Sequence, residues 1–381
     1  MLTSSKRRRI ATICALIAIP VAVAACGSSS TNSASASAPA GSAASGQSAS
    51  AVKEAEANFA KYMQVQPPVS VPTLPKKPSP QTITITTCPL PSCTAASVAA
   101  RTAANDLGWK VTYLTSPPTP SGVIATMNDI VQNPTQLVAI TPLVPDALIS
   151  KQLAALRADG AKIVEMAPAG GGPDGVVQGV TVGVPFWDAS ATLMADAIIH
   201  YAQGSPSTAF ITDPSVPAWV APRLAFAKVV DAAGGSVAEV DVSLSQIGKQ
   251  IPSQVVTYVQ SHPQVKYLAF VDADLDAGVQ QALQAAGLAK QVQIVSSGPN
   301  PGDLVALKQG TELAEVAEET GGTGWRAIDQ LARLSEGLSL GSEENPAGWH
   351  QILVGSNVTE TTSTPVPPGV PGAFLQAWHV N

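Results

Sequence analysis

The chain has 381 residues, 45% of them apolar and 13% charged, with a mean hydropathy of +0.19; this suits one large or two medium folded domains and excludes disorder throughout. Only residues 10–25 form a long uncharged apolar run, which excludes a protein that crosses a membrane many times. The net charge is −6, and without Lys6, Arg7, Arg8 and Arg9 the 21 basic residues fall to 17 against 27 acids, a balance that repels phosphate backbones and excludes nucleic acid as a partner.

Residues 1–25 read as a signal peptide, with a basic start, an apolar stretch over 10–22, and the small residues Val23, Ala24 and Ala25 ahead of Cys26. A Cys in that place resembles the bacterial lipobox. The resemblance implies a diacylglyceryl group on Cys26, cleavage before it, and a lipid anchor on the extracytoplasmic face of the cell membrane. The competing reading is an uncleaved membrane anchor with a chance Cys. Residues 26–80 read as the lipidated Cys and a tether. Within them 27–50, rich in Ser, Ala and Gly, suggest a flexible chain, 51–62 a short helix, and 67–80 an extended Pro-rich spacer. The folded part is expected to begin near Gln81.

Cys14 leaves with the signal, so Cys88 and Cys93 remain, in Cys88-Pro-Leu-Pro-Ser-Cys93. Outside the cytoplasm two close thiols oxidise, which predicts a structural disulfide. A metal site would need a nearby His or further Cys, and a redox motif would need CxxC spacing; neither is present.

From residue 81 strand and helix signals alternate. Strands are predicted over 82–86, 110–114, 137–141, 162–166 and 178–182, with helices over 94–107, 122–132 and 145–158 between the first four. A second series follows: helix 189–202, strand 208–212, helix 220–233, strand 236–242, helix 251–261, strand 267–271, helix 276–286 and strand 291–296. Leu193, Ala197 and Tyr201, with Met194 and Ile198 beside them, make a credible core-facing stripe, and so do Val279, Ala282, Leu283 and Ala286. Such alternation implies α/β architecture with parallel sheets covered by helices. About ten strands are better divided between two sheets than held in one, with a crossing near Gly183.

Catalytic and cofactor signatures are absent. Gly170-Gly-Gly-Pro-Asp-Gly175 formally fits a dinucleotide loop, but a strand-like segment follows where a helix must open. No GxxxxGK[ST], HExxH or GxSxG occurs. His200, His262, His350 and His379 have no ligand-spaced neighbours and read as packing or surface histidines. Asp272-Ala-Asp274-Leu-Asp276 has alternate acids but lacks the glycine and closing Glu of a calcium loop. The expectation is a protein that is no enzyme, with no cofactor and no metal.

Residues 267–287, YLAFVDADLDAGVQQALQAAG, resemble a strand-turn-helix of the type I periplasmic binding proteins. The likeness continues collinearly over roughly 82–355, through the turn Gly298-Pro-Asn-Pro-Gly302, a helix ending at Gly310, the strand at 312–317 and the glycine-containing helix start at 321–324. It implies two Rossmann-like lobes with parallel sheets joined by a three-strand hinge. Lobe 1 would be 81–182 plus 319–345, lobe 2 183–318 plus 346–365, and 366–381 a C-terminal tail. The ligand would lie between the lobes. Carried over position by position, the resemblance implies contacts from Leu90 and Ser92 after the first strand, Met166 after the fourth, and Phe186 and Trp187 at the entry to lobe 2. Trp219, Arg223, Asp272, Asp274, Asn300 and Glu318 complete the set. Aromatics can stack on the apolar face of a sugar and carboxylates accept its hydroxyl hydrogens. The family's usual Asp-Arg pair is replaced by Met166-Ala-Pro, which tilts the cleft negative and admits an amine-bearing ligand beside a sugar or polyol. Trp325 reads as core. The implied function is that of a monomeric, membrane-anchored solute-binding protein delivering ligand to an ABC permease. The alternative is a lipid-anchored sensor or accessory receptor of the same fold.

Overall fold

The structure, a computed structural model, describes residues 40–166, 176–340 and 348–380. The signal region, Cys26, Ala167-Pro168 and the glycine run 170–175 lie outside the described residues. A first helix α1 (Ala40–Tyr62) leads to β1 (Thr82–Thr87), α2 (Pro91–Asp106), β2 (Lys110–Thr115), α3 (Pro120–Gln132), β3 (Leu137–Ile140), α4 (Ser150–Ala158), β4 (Lys162–Glu165) and the two-residue β5 (Gly179–Val180). These strands form a five-stranded, all-parallel sheet in the order β2-β1-β3-β4-β5. Its middle is buried on both faces, so β3 reads LVAI without a polar residue, as a helix-covered parallel strand must. The threonines of β1 are tolerated there through hydrogen bonds, such as Thr135 Oγ1 to Thr84 Oγ1 at 2.9 Å.

The second series comprises α5 (Val184–Ala202), β6 (Ser207–Thr212), α6 (Val220–Ala232), β7 (Ser236–Asp241), α7 (Ile251–Ser261), β8 (Tyr267–Phe270), α8 (Val279–Ala285), β9 (Gln293–Ser297), α9 (Pro301–Gln309), β10 (Ala314–Glu318), α10 (Thr320–Ser335), β11 (His350–Leu353) and α11 (Gly372–Ala377). Its six strands run β11-β10-β9-β8-β6-β7, with β11 alone antiparallel. Leu193, Met194, Ala197 and Ile198 bury the inner face of α5 in this sheet's core, whereas Tyr201, expected on the same stripe, is 38% exposed. Three helices begin earlier than their apolar pattern suggests, α2 at Pro91, α3 at Pro120 and α5 at Val184, because a proline sits in the first turn of each and its fixed φ favours helix initiation. The expected helix 276–286 is broken. A 3-10 turn Ala273–Asp276 comes first, and Gly278 at φ +84° precedes a shorter α8.

Helix α10 returns to the first sheet and packs Trp325, Ile328 and Leu331 into its core. The approach to α2 is backbone to backbone: a Cβ on Gly324 would stand 2.1 Å from Ala96 O, so only glycine fits. Trp325 is core, as expected, with 5% of its surface exposed.

Two expectations are corrected. Residues 40–62 are not split into tether and short helix, and the folded part does not start near Gln81. Helix α1 packs on the second lobe through Ala55 and Phe59, with Phe59 stacked on His200 at 3.9 Å and Asn58 Nδ2 donating to Asp196 Oδ2 at 3.0 Å. The Pro-rich spacer then crosses to the first lobe, where Leu74 is in the core and its N–H donates to Ala377 O at 2.9 Å. The segment expected as a C-terminal tail, 366–381, packs on the first lobe through its described residues. Phe374 and Trp378 of the C-terminal segment join Trp325 in an aromatic cluster, and Trp378 Nε1 donates to Asp329 Oδ1 at 2.8 Å. Among the described residues no helix is long and apolar enough to cross a membrane.

Candidate functional site

In each sheet the parallel strands end toward the same side, and segments that follow those ends converge on one cavity, the usual place for a site in open α/β sheets. From the first lobe come Leu90, Ser92, Cys93 and Ala96 after β1, Thr141 and Leu143 after β3, and Thr320 and Thr323 at the start of α10. From the second come Phe186 and Trp187 on α5, Val216, Ala218 and Trp219 after β6, Leu244 after β7, Asp272 after β8, Gly298 after β9 and Glu318 at the end of β10. Val182 lies at the crossing between them. The empty volume, counted to the open mouth, is about 780 Å³.

The wall is largely apolar and partly aromatic. Phe186 and Trp187 meet edge to face with centroids 5.1 Å apart, and the Phe186 ring lies 4.6 Å from that of His350. Gly348, at φ +72°, makes room for Phe186, because a Cβ there would fall 2.3 Å from the ring. Burial pushes His350 down to about 4, so the imidazole behind the wall is neutral. Trp219 lines the cavity yet also belongs to the second core, with 6% exposure. The disulfide between Cys88 and Cys93 is present and pins the turn that carries Leu90 and Ser92.

Polar groups are few and placed. Glu318 accepts a hydrogen bond from Ser190 Oγ. Burial pushes its carboxyl up to about 7, against hydrogen bonds from Ser190 and Ser297 that act the other way. Asp272 stands well above the usual carboxylate range, chiefly through desolvation and then the neighbouring Asp274 charge; the Asp274 N–H, donating at 2.8 Å to Oδ1, opposes this. Among the described residues no Lys or Arg lines the cavity. Two polar atoms on the wall, Thr141 Oγ1 and Trp187 Nε1, are buried without a hydrogen-bond partner. Such atoms are costly unless something supplies their hydrogen bonds.

Of the residues singled out from the sequence, the cavity brings together Leu90, Ser92, Phe186, Trp187, Trp219, Asp272 and Glu318. The other four are elsewhere. Met166 is wholly buried in the first core, where the strand's side-chain alternation turns it away from the cavity. Arg223 lies on α6 and forms a partly exposed ion pair with Glu239 on β7 at 2.7 Å, away from the cavity. Asn300 caps α9 in a capping box with Asp303. Asp274 accepts from Ser92 Oγ at 2.7 Å and from Asn300 Nδ2 at 3.0 Å, and so ties the lobes together beside the cavity rather than inside it. Thr141, Thr320 and Thr323 were missed. Thr141 follows the buried run of β3 and could have been found as a strand-end residue, whereas Thr320 and Thr323 reach the cavity only because Gly324 lets α10 sit against α2.

No protein-family model matches the chain, and no curated protein matches it. Solved structures do. GanP, a glucose-galactose binding protein from Geobacillus stearothermophilus, is 13% identical with a TM-score of 0.65, covering 74% of this chain and 100% of that one. An ABC transporter solute-binding protein from Mycobacterium smegmatis with bound glycerol is 20% identical with a TM-score of 0.64, covering 75% and 100%. One from Burkholderia graminis in complex with D-arabinose is 16% identical with a TM-score of 0.64, covering 76% and 100%. At such identities the likeness is one of fold.

Proposed function

Starting from a chain with the fold of the type I periplasmic binding proteins, we propose an extracytoplasmic solute receptor, held to the membrane by lipid on Cys26, that clamps a small polar ligand between two lobes and delivers it to an ABC importer. The observation that carries this reading is the cavity between the two sheets, where Thr141 Oγ1 and Trp187 Nε1 await partners beside aromatic rings and the acids Asp272 and Glu318. Those acids, with no Lys or Arg among the described residues of the wall, favour a ligand that donates hydrogens, such as a sugar, polyol or amine, and disfavour carboxylates and phosphates. Trp187 and Trp219 line the cavity and would supply apolar surface to the face of a sugar ring. The sugars and glycerol bound by the solved neighbours agree with that chemistry.

The test is a thermal-shift screen across sugars, polyols, purines, amines and simple anions. Calorimetry of the best ligand against Asp272→Ala and Trp219→Ala follows. Losing one hydrogen bond at Asp272 should weaken binding by about 1 kcal/mol with its raised carboxyl protonated and about 1.5–3 kcal/mol with it ionised. A screen in which only anions stabilise the protein, or variants that bind as the parent does, would defeat the assignment. Anchoring is checked separately: Cys26→Ser should abolish lipid labelling and release the protein from the membrane fraction.

A further inference from the structure

The three alternate acids of Asp272-Ala-Asp274-Leu-Asp276 go to three different places. Asp272 faces the cavity and Asp274 holds Ser92 across the lobes. Asp276 meets Glu312 and Glu315, from just before and within β10, and oxygens of the three carboxylates lie within 4.8 Å of one another. All three are buried, with 6%, 8% and 0% of their surfaces exposed.

This group lacks the hydrogens it needs. The Ser296 hydroxyl lies 3.2 Å from Asp276 Oδ2 and 2.7 Å from each oxygen of Glu315, and its single proton can serve only one of them. The Glu312 side chain is hydrogen-bonded to Glu315, but its Oε2 is buried with no hydrogen-bond partner. The charged groups that bear on the three carboxylates are Asp303, Asp274 and one another, every one an acid. Burial raises all three, and Glu312 stands at about 8. The cluster is also reachable. A groove beside α8 and α9 has Asp276, Asp303 and Glu312 in its wall, with the amides of Gln280 and Gln284 nearby.

We propose that Asp276, Glu312 and Glu315 bind a hard divalent cation of the Ca²⁺ or Mg²⁺ class that enters through this groove. Carboxylate oxygens without any thiolate or imidazole select hard ions over zinc or copper. A doubly charged ion gives Glu312 Oε2 a partner and offsets the charge of a cluster whose named charged neighbours are all acids. This site is separate from the cavity between the lobes and stands whatever ligand that cavity takes. It is not the calcium loop that the alternate acids suggest, since two of its three donors come from a distant part of the chain.

Calorimetric titration of Ca²⁺, Mg²⁺ and Mn²⁺ into the chelator-stripped full chain tests the proposal, beside thermal melts with and without each ion. One ion per chain should bind saturably and raise the melting temperature. Repeating the titration in buffers of different ionisation enthalpy should reveal proton release, because carboxylic acids must ionise to ligate. Loss of outer-shell groups alone costs metal sites ~10–100-fold in affinity, so E312Q and E315Q, which keep the side-chain shape, should each weaken binding by at least about tenfold. Absence of heat and of any melting shift with all three ions in the parent protein overturns the proposal. So does binding that both variants leave unaltered. No cation effect, together with a melting temperature that falls as pH rises through about 8, would mean that protons hold the cluster, and also overturns it.

Discussion

Replacing Asp274 by Ala separates lobe closure from ligand contact. Asp274 is absent from the cavity wall, yet its Oδ2 accepts Ser92 Oγ at 2.7 Å and Ser92 N at 3.4 Å. Ser92 sits in the first turn of α2, on the first lobe, and Asp274 follows β8 of the second, so this bond exists only with the lobes together. A hydrogen bond to a carboxylate contributes about 1.5–3 kcal/mol, and the long backbone contact adds little. Burial raises the Asp274 carboxyl, and in its protonated form the contribution drops toward about 1 kcal/mol. With the carboxylate ionised, the variant should lower the closed-to-open ratio roughly ten- to a hundredfold. Where the open form dominates without ligand, apparent affinity falls by the same factor. Small-angle scattering of the ligand-free protein should show a larger radius of gyration for Asp274→Ala. Calorimetry should show weaker binding of the ligand that the thermal-shift screen returns. A double-mutant cycle with Ser92→Ala should give a coupling energy near that of the lost bond. An unchanged radius together with additive single-mutant effects would refute the idea that this bond holds the lobes.

Three further outcomes are expected. The Glu318 carboxyl stands at about 7 against an ordinary 4.5, so its contribution to folding is complete below about pH 4.5 and is lost as pH rises through about 7, an effect of roughly 3 kcal/mol at most. Chemical denaturation across that range should show Glu318→Gln with a shallower decline than the parent; an equal slope would contradict the assignment. Phe59→Ala should destabilise the second lobe by an amount at or below the low end of the ~3–5 kcal/mol typical of core Phe truncation, whereas a residue in a free tether would cost nothing in the same denaturation experiment. Trp378→Ala should cost about 3–5 kcal/mol, since it empties an aromatic cluster and strips a hydrogen bond from buried Asp329; unaltered denaturation would mean that the C-terminal segment does not support the first lobe.

Much of the fold was legible because it rests on local patterns. Thr82–Thr87 and Leu137–Ile140 carry the β-branched and apolar runs of covered parallel strands, and the stripe of Leu193, Met194, Ala197 and Ile198 has helical spacing. The cavity-lining residues recognised in advance follow the ends of such strands. The errors share a cause. Met166 and Arg223 stand close to the expected strand and turn, but one step along a strand or one face of a helix reverses where a side chain points.

Composition misled at both ends of the folded part. Residues 27–50 read as a flexible chain, 51–62 as a short helix within a tether and 366–381 as a tail, because none carries enough apolar residues to fold alone. What orders them is surface on other elements: Ile199 and Ala233 for Ala55, and Trp325 for Phe374 and Trp378. The same holds for the acids. The sequence by itself determined the strand–helix alternation, the two series of strands, the disulfide pair and the placing of Asp272 and Glu318 near strand ends, since each depends on neighbours along the chain. Only the tertiary structure decided that Asp274 ties the lobes, that Asp276 joins Glu312 and Glu315, and that Thr320 reaches the cavity. Those roles depend on distances between segments far apart in the chain, set by how the sheets and helices pack.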